Sequence, residues 1–250
     1  MPENKPDMKL KYLFFLLFVF AFSSAIFAQS VVITSKKVTY TRPKPTADFK
    51  KTFTIRFPKV KAATKALSKK IETAISYEKI LSLNIEEEKN DIQWLEEADY
   101  EIGYNKSGIL VITLSMTGSG AYPSTVFKTV VVNLKTGNRV MPADVFVNLK
   151  GLAAMAKKSQ QAEIKNSLDK TKSQLNEEET EIVKEQTDSA NFTVKNLDEF
   201  SIDDKGATFI YDYGFRHVTQ ALQPEGRFFF SWAELKPYIK RGGLLAKFVR

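Results

Sequence analysis

The sequence predicts an α+β fold: an antiparallel β-sheet meander covered by amphipathic helices, then a helical excursion, a C-terminal strand pair and a final helix. Three observations point there. Leu110–Met116 and Val126–Leu134 are apolar with a two-residue period on either side of Gly118-Ser-Gly-Ala-Tyr-Pro123. Val60, Ala63, Thr64, Leu67, Ile71, Ala74 and Ile75 recur at helical spacing with lysines between them. Residues 157–190 are mostly Lys, Glu, Gln, Asn, Ser and Thr, whereas 200–230 is again rich in aromatic residues.

The chain begins with a basic stretch, Met8-Lys-Leu-Lys11, then an unbroken apolar run from Tyr12 to Phe22 and a Ser23-Ser-Ala-Ile-Phe-Ala28 cleavage-like site. That run is short of the ~20 residues a spanning helix needs. Residues 1–28 therefore read as a cleaved secretory signal peptide, leaving Gln29 first and no stable membrane span. Such a protein resides in the periplasm or is secreted. Cysteine is absent, which excludes an acylated-cysteine anchor and disulfide staples, so the fold must rely on its core. The net charge is +8. Its lysines are scattered rather than clustered with aromatics, so solubility explains them more simply than nucleic acid, which is not an expected partner.

Val31–Tyr40 is β-rich and is interrupted by Arg42-Pro-Lys-Pro45. Phe53, Ile55 and Phe57 alternate on one face of a strand expected to end at Pro58, and the amphipathic helix follows. Residues 77–101 are ambiguous. Glu86-Glu-Glu88 and Glu96-Glu97 read as a solvated face rather than an acid/base pair, because nothing nearby would raise a carboxyl pKa. Tyr100–Tyr104, 109–117 and 125–134 form the meander, with Asn105-Lys-Ser-Gly108 as a loop of about four residues. Leu110, Ile112, Leu114 and Met116 face one way and Ile109 and Val111 the other, so this strand should be covered twice. Gly118–Pro123 is either a tight corner or a binding loop that shows Tyr122.

Lys135-Thr-Gly-Asn138 supplies a turn, and Asp144 is placed to accept from nearby backbone amides. From Leu149 the chain becomes helical, and beyond Ala156 the stripe weakens to Ile164, Leu168, Leu175, Ile182 and Val183. Phe200–Ile202, the turn at 203–206 and Thr208–Phe215 read as strand, turn, strand. Phe209, Tyr211, Tyr213 and Phe215 share a face that core packing explains better than a sugar platform. Arg227–Phe230 is a further strand. Ser231-Trp-Ala-Glu234 is a capping box for a helix to about Lys240, and Gly242-Gly243 should release a basic tail.

Chemistry is bounded by residue counts. With one histidine, His217, and no cysteine, zinc sites of the usual kinds and Cys-His nucleophiles are excluded, and no Gly-x-Ser-x-Gly elbow or phosphate-cradling loop is present. No cofactor, metal or catalytic residue is assigned. A hydrolase would have to use carboxylates, with Asp144, Asp212 or Glu225 as candidates, two of them within roughly 5–10 Å across a cleft.

Thr52-Phe-Thr-Ile-Arg-Phe-Pro-Lys59 and the helix after it resemble the start of the PdaC-type accessory domain. Ser119-Gly-Ala-Tyr-Pro123, Val130–Gly137 and Asp144-Val-Phe146 resemble the RsiV-type extracellular domain, the C-terminal part of lysozyme-sensing anti-sigma factors. So do Phe209–Phe215, Gln223-Pro-Glu-Gly226, Phe228–Phe230 and Glu234-Leu235. The resemblance implies residues 29–98 as a PdaC-like N-terminal region and 99–250 as an RsiV-like domain, packed as one unit. It further implies an exported, non-catalytic binding module whose partner is a lysozyme-like protein or cell-wall peptidoglycan. Three departures matter. The chain shows neither a sigma-binding segment nor a deacetylase domain with its histidines, and Tyr122 stands where the family loop carries histidine. Tyr122, Tyr213 and His217 are the expected ligand contacts. A structural envelope protein without a small ligand is the third reading.

Overall fold

The computed structural model describes residues 30–120, 122–174 and 176–250; the expected signal peptide lies outside them. The predicted α+β class is the observed one. β1 (Val32–Thr41), β2 (Thr52–Lys61), β3 (Leu95–Lys106), β4 (Ile109–Ser119) and β5 (Pro123–Asn133) form one sheet in that spatial order. β1–β2, β3–β4 and β4–β5 pair antiparallel. β2 and β3 pair parallel through Thr54 and Ile55. The crossover between them holds α1 (Lys65–Ala74), α2 (Tyr77–Ile80) and α3 (Ile85–Asn90). α4 (Pro142–Val145), the long α5 (Leu149–Gln174) and α6 (Glu177–Thr187) lead to a second sheet of β6 (Phe200–Ile202), β7 (Gly206–Ile210) and β8 (Arg227–Ser231). α7 (Trp232–Leu235) follows β8.

β4 is covered on both sides, and that makes it the wall between two cores. Leu110, Ile112 and Leu114 pack with Phe53, Ile55, Ile71, Ile75 and Tyr77 from the N-terminal half. Ile109, Val111 and Val131 face Phe146, Leu152, Phe200 and Phe209 from the C-terminal half. The alternation of a strand gives each parity its own hydrophobic layer. A third, small cluster of Val183, Tyr213 and Phe215, with Ile164 and Leu168 against it, ties α5 and α6 to the segment that follows β7. Few as its apolar residues are, the helical excursion is thus anchored at both helices.

Several sequence expectations are corrected here. β2 runs through Pro58 to Lys61. The Arg42 N–H to Lys51 carbonyl bond sets the ladder phase, and in that phase Ser35 and Pro58 form a non-hydrogen-bonded pair. Proline's missing N–H therefore costs no bond, and Val60 belongs to the strand. Its outward N–H is taken by Glu72 at 2.9 Å, and the outward Arg56 carbonyl by the Tyr77 hydroxyl at 3.0 Å. α1 instead starts after Thr64, whose hydroxyl accepts from the Leu67 N–H. The β3–β4 turn is Ser107-Gly108 alone, both at positive φ (56° and 72°), the type I′ geometry that matches strand twist. β4 extends through Gly118, where a Cβ would lie 2.2 Å from the Trp94 carbonyl oxygen; this glycine serves a close approach inside the strand rather than a corner.

At the C-terminal end, β7 stops at Ile210, although the chain stays extended enough to keep Tyr211, Tyr213 and Phe215 in successive edge contact. α7 gives way at Lys236–Tyr238 to a 3-10 turn, and Ile239 then bridges to Phe146. The basic tail is not released: Leu245 is fully buried and Phe248 stacks on Trp232 with centroids 4.5 Å apart. Burial of these two side chains outweighs the flexibility that Gly242-Gly243 suggested.

Candidate functional site

The three expected contact residues have different fates. Tyr122 is 58% exposed at the tip of the β4–β5 hairpin, where the Gly120 N–H donates to its carbonyl. His217 opens a 3-10 segment, His217–Leu222, and is exposed. The two rings stack, with centroids 5.1 Å apart and planes 16° from parallel. Val218, 73% exposed, follows His217 in the chain, and Phe127, 54% exposed, projects from the β5 face turned to the C-terminal half, while Val126, 46% exposed, projects from the opposite face. An exposed aromatic pair edged by apolar side chains is costly to leave in water, so it marks a contact surface rather than a core element.

Tyr213 is a correction. It is buried, and its hydroxyl donates to Glu163 of α5 at 2.7 Å. Its ring packs in the small cluster with Val183 and Phe215 and offers no exposed face. Burial, reinforced by the Glu163 carboxylate, pushes its phenol pKa far above the usual value, and burial does the same to Tyr77. The raised folded-state pKa means that both phenols favour the native state fully below the unfolded value of about 10. That stabilisation is lost as pH climbs beyond it. Ultraviolet titration should accordingly show a class of tyrosines that ionises only as the protein unfolds, and Tyr213→Phe should shrink that class. Uniform tyrosine ionisation near pH 10 with the fold intact would contradict this placement.

The His217 segment is itself fixed. Gln186 of α6 accepts from the Arg216 N–H at 3.0 Å and donates to the Thr219 hydroxyl at 2.9 Å, and Gln223 accepts from the Phe215 N–H at 2.9 Å. These bonds preorganise the ring against Tyr122, so little order has to be gained on binding. No sequence signal marks Gln186 for this role. Beside the stack, the β5 edge is open. The Thr129 N–H goes to Glu199 and the Val131 carbonyl to Val140, so odd-numbered residues of β5 point their backbone groups outward. The outward groups of Thr125 and Phe127 find no partner among the described residues.

The carboxylate candidates divide similarly. Asp144 accepts from the Met141 N–H at 2.8 Å, the local capping role foreseen for it, and Asp212 accepts from the Gly214 N–H at 2.8 Å in a turn. Glu225 lines a cleft of about 510 Å³ together with Glu163, Lys170 and Gln223. Glu163, which sequence reasoning missed, accepts from the Tyr213 hydroxyl and the Gly226 N–H and is held as an acceptor by both. Glu88, read as a solvated carboxylate, is instead buried against Arg42 and accepts from the Leu95 N–H. No group of three or more His, Asp or Glu side chains suited to a metal occurs among the described residues. No helix among them is long and apolar enough to cross a membrane.

Neither a family model nor a curated protein matches this chain. Solved structures share its fold, two of them DUF3298 family proteins. One is a DUF3298 family member from Bacteroides fragilis, 14% identical, with a TM-score of 0.52, covering 87% of this chain and 99% of the other. The second is a DUF3298 family protein from Pseudomonas aeruginosa, 12% identical, with a TM-score of 0.53, covering 84% of this chain and 94% of the other.

Proposed function

We propose that this chain is an exported, non-catalytic binding module of the bacterial envelope, and that its partner is a protein, a lysozyme-like hydrolase. The observation that carries the reading is the exposed Tyr122–His217 stack beside an open strand edge. Unpaired backbone N–H and C=O groups offer hydrogen bonds to another polypeptide, and the exposed Phe127, on the sheet face turned to the C-terminal half, and Val218 supply apolar area. Export is supported by the basic, apolar and small-residue succession of residues 8–28. The likeness to RsiV-type domains supports the partner class. A cell-wall glycan is the second arm, since an aromatic face also accepts a sugar ring.

Retention of the purified protein on immobilised lysozyme and on peptidoglycan tests both arms. Binding to lysozyme should weaken by about thirtyfold or more in the Tyr122→Ala/His217→Ala double variant, the loss typical of a central aromatic hot spot. Both side chains are exposed, so the far-ultraviolet circular dichroism should not change. Retention on peptidoglycan alone would transfer the surface to glycan. Retention on neither would sink both partners.

A further inference from the structure

A second surface lies in the C-terminal segment, apart from the reading above. Between Lys236 and Arg250 the sequence has five cations and no acidic residue. One of them, Lys247, is turned inward to the Ser107 carbonyl. The other four, Lys236, Lys240, Arg241 and Arg250, rim a groove of about 500 Å³ whose floor includes Ile239 and Val249. All four are exposed, and none forms an ion pair among the described residues, although the Lys240 ammonium donates to the Ala143 carbonyl at 2.6 Å. The remaining lining residues are proline, glycine and alanine, so no neutral polar side chain faces the groove. Val147, 40% exposed, is joined to the same segment through its N–H bond to the Tyr238 carbonyl at 2.6 Å.

We propose that this groove seats the phosphate headgroups of an anionic lipid surface. Three cations without a partner among the described residues, with a fourth held only by a backbone carbonyl, make one place that attracts negative charge. An acidic peptide would also need side-chain partners for its backbone, and the groove provides none. A lipid surface asks only for cations at headgroup level and apolar contact below, with long basic side chains reaching outward from an apolar stem. The tail is rigid enough to present them, because Leu245 and the Phe248–Trp232 stack fix it to the second core.

Co-sedimentation with vesicles tests the proposal. The protein should bind vesicles of equal parts phosphatidylglycerol and phosphatidylcholine, and not phosphatidylcholine alone, with binding falling as salt rises. At about fivefold per cation, Lys236→Glu/Arg241→Glu/Arg250→Glu should weaken binding about a hundredfold or more. Lys36→Glu/Lys37→Glu/Lys61→Glu changes net charge equally on exposed positions of β1 and β2, and should bind far better than the groove variant. Equal losses in both variants would mean that net charge alone is at work and would overturn the site. So would failure of the wild-type protein to bind the anionic vesicles, or groove-dependent binding to polyglutamate without binding to vesicles.

Discussion

Replacing Arg42 with methionine is expected to cost the fold about 3–5 kcal/mol, the penalty for breaking a buried ion pair from one side. Arg42 is 2% exposed. It donates to the carbonyls of Glu88 at 3.0 Å, Lys50 at 2.5 Å and Leu95 at 2.7 Å, and its Nη2 lies 3.7 Å from the Glu88 carboxylate. One side chain therefore fastens the end of β1, the 43–51 loop, α3 and the start of β3. Methionine fills much of the space over the Phe53 ring but leaves three carbonyls without donors and a buried carboxylate without its cation. Urea unfolding should report the loss. Glu88→Gln added to Arg42→Met should recover part of it by removing the stranded charge. A loss below about 1 kcal/mol, as for an exposed pair, would contradict the role assigned to Arg42.

Phe209→Ala should cost a similar amount, about 3–5 kcal/mol, for a different reason. This ring is fully buried in the core shared by the two sheets, with centroids of Phe146, Phe200 and Phe230 at 5.8, 6.0 and 6.1 Å. Its removal opens a cavity that surrounding aromatic rings, locked on three different elements, cannot collapse to fill. Phe209→Leu should lose markedly less. Calorimetric or denaturant unfolding of the pair distinguishes packing from general hydrophobicity, and equal losses for Ala and Leu would contradict a cavity effect.

Much of the fold was legible because its signals are local. β4 is apolar at both parities, and that alone required two covering layers. The Ser231 capping box, the turn glycines and the aromatic row at 209–215 also report on near neighbours. What stayed hidden depends on distant partners. Arg42 sat in a Pro-rich interruption, and its acceptor at Glu88 lies 46 residues away. Glu88 looked no different in sequence from its neighbours Glu86 and Glu87, yet it is the one the fold buries. Pro58 seemed a strand stop because ladder phase, which decides whether its missing N–H matters, is set by pairing and not by composition.

The site divides along the same line. Tyr122 and His217 were each legible as exposed aromatic or loop residues, but their stacking belongs to the tertiary structure. Tyr213 belongs to an aromatic row whose alternation already pointed to the core, although its hydroxyl made it a candidate contact as well. Only the position of Glu163 on α5 shows that its hydroxyl faces inward. Gln186 carries no pattern at all, yet two of its hydrogen bonds hold the His217 segment in place.

The most direct measurement is amide hydrogen exchange of the protein with and without bound lysozyme. The account predicts slowed exchange at 122–127 and 216–219, the stack and the open edge of β5, with the remaining strands unchanged. Protection confined to the Glu163–Glu225 cleft, or no protection at the stack in a complex that demonstrably forms, would contradict the claim that this surface is where the molecule binds.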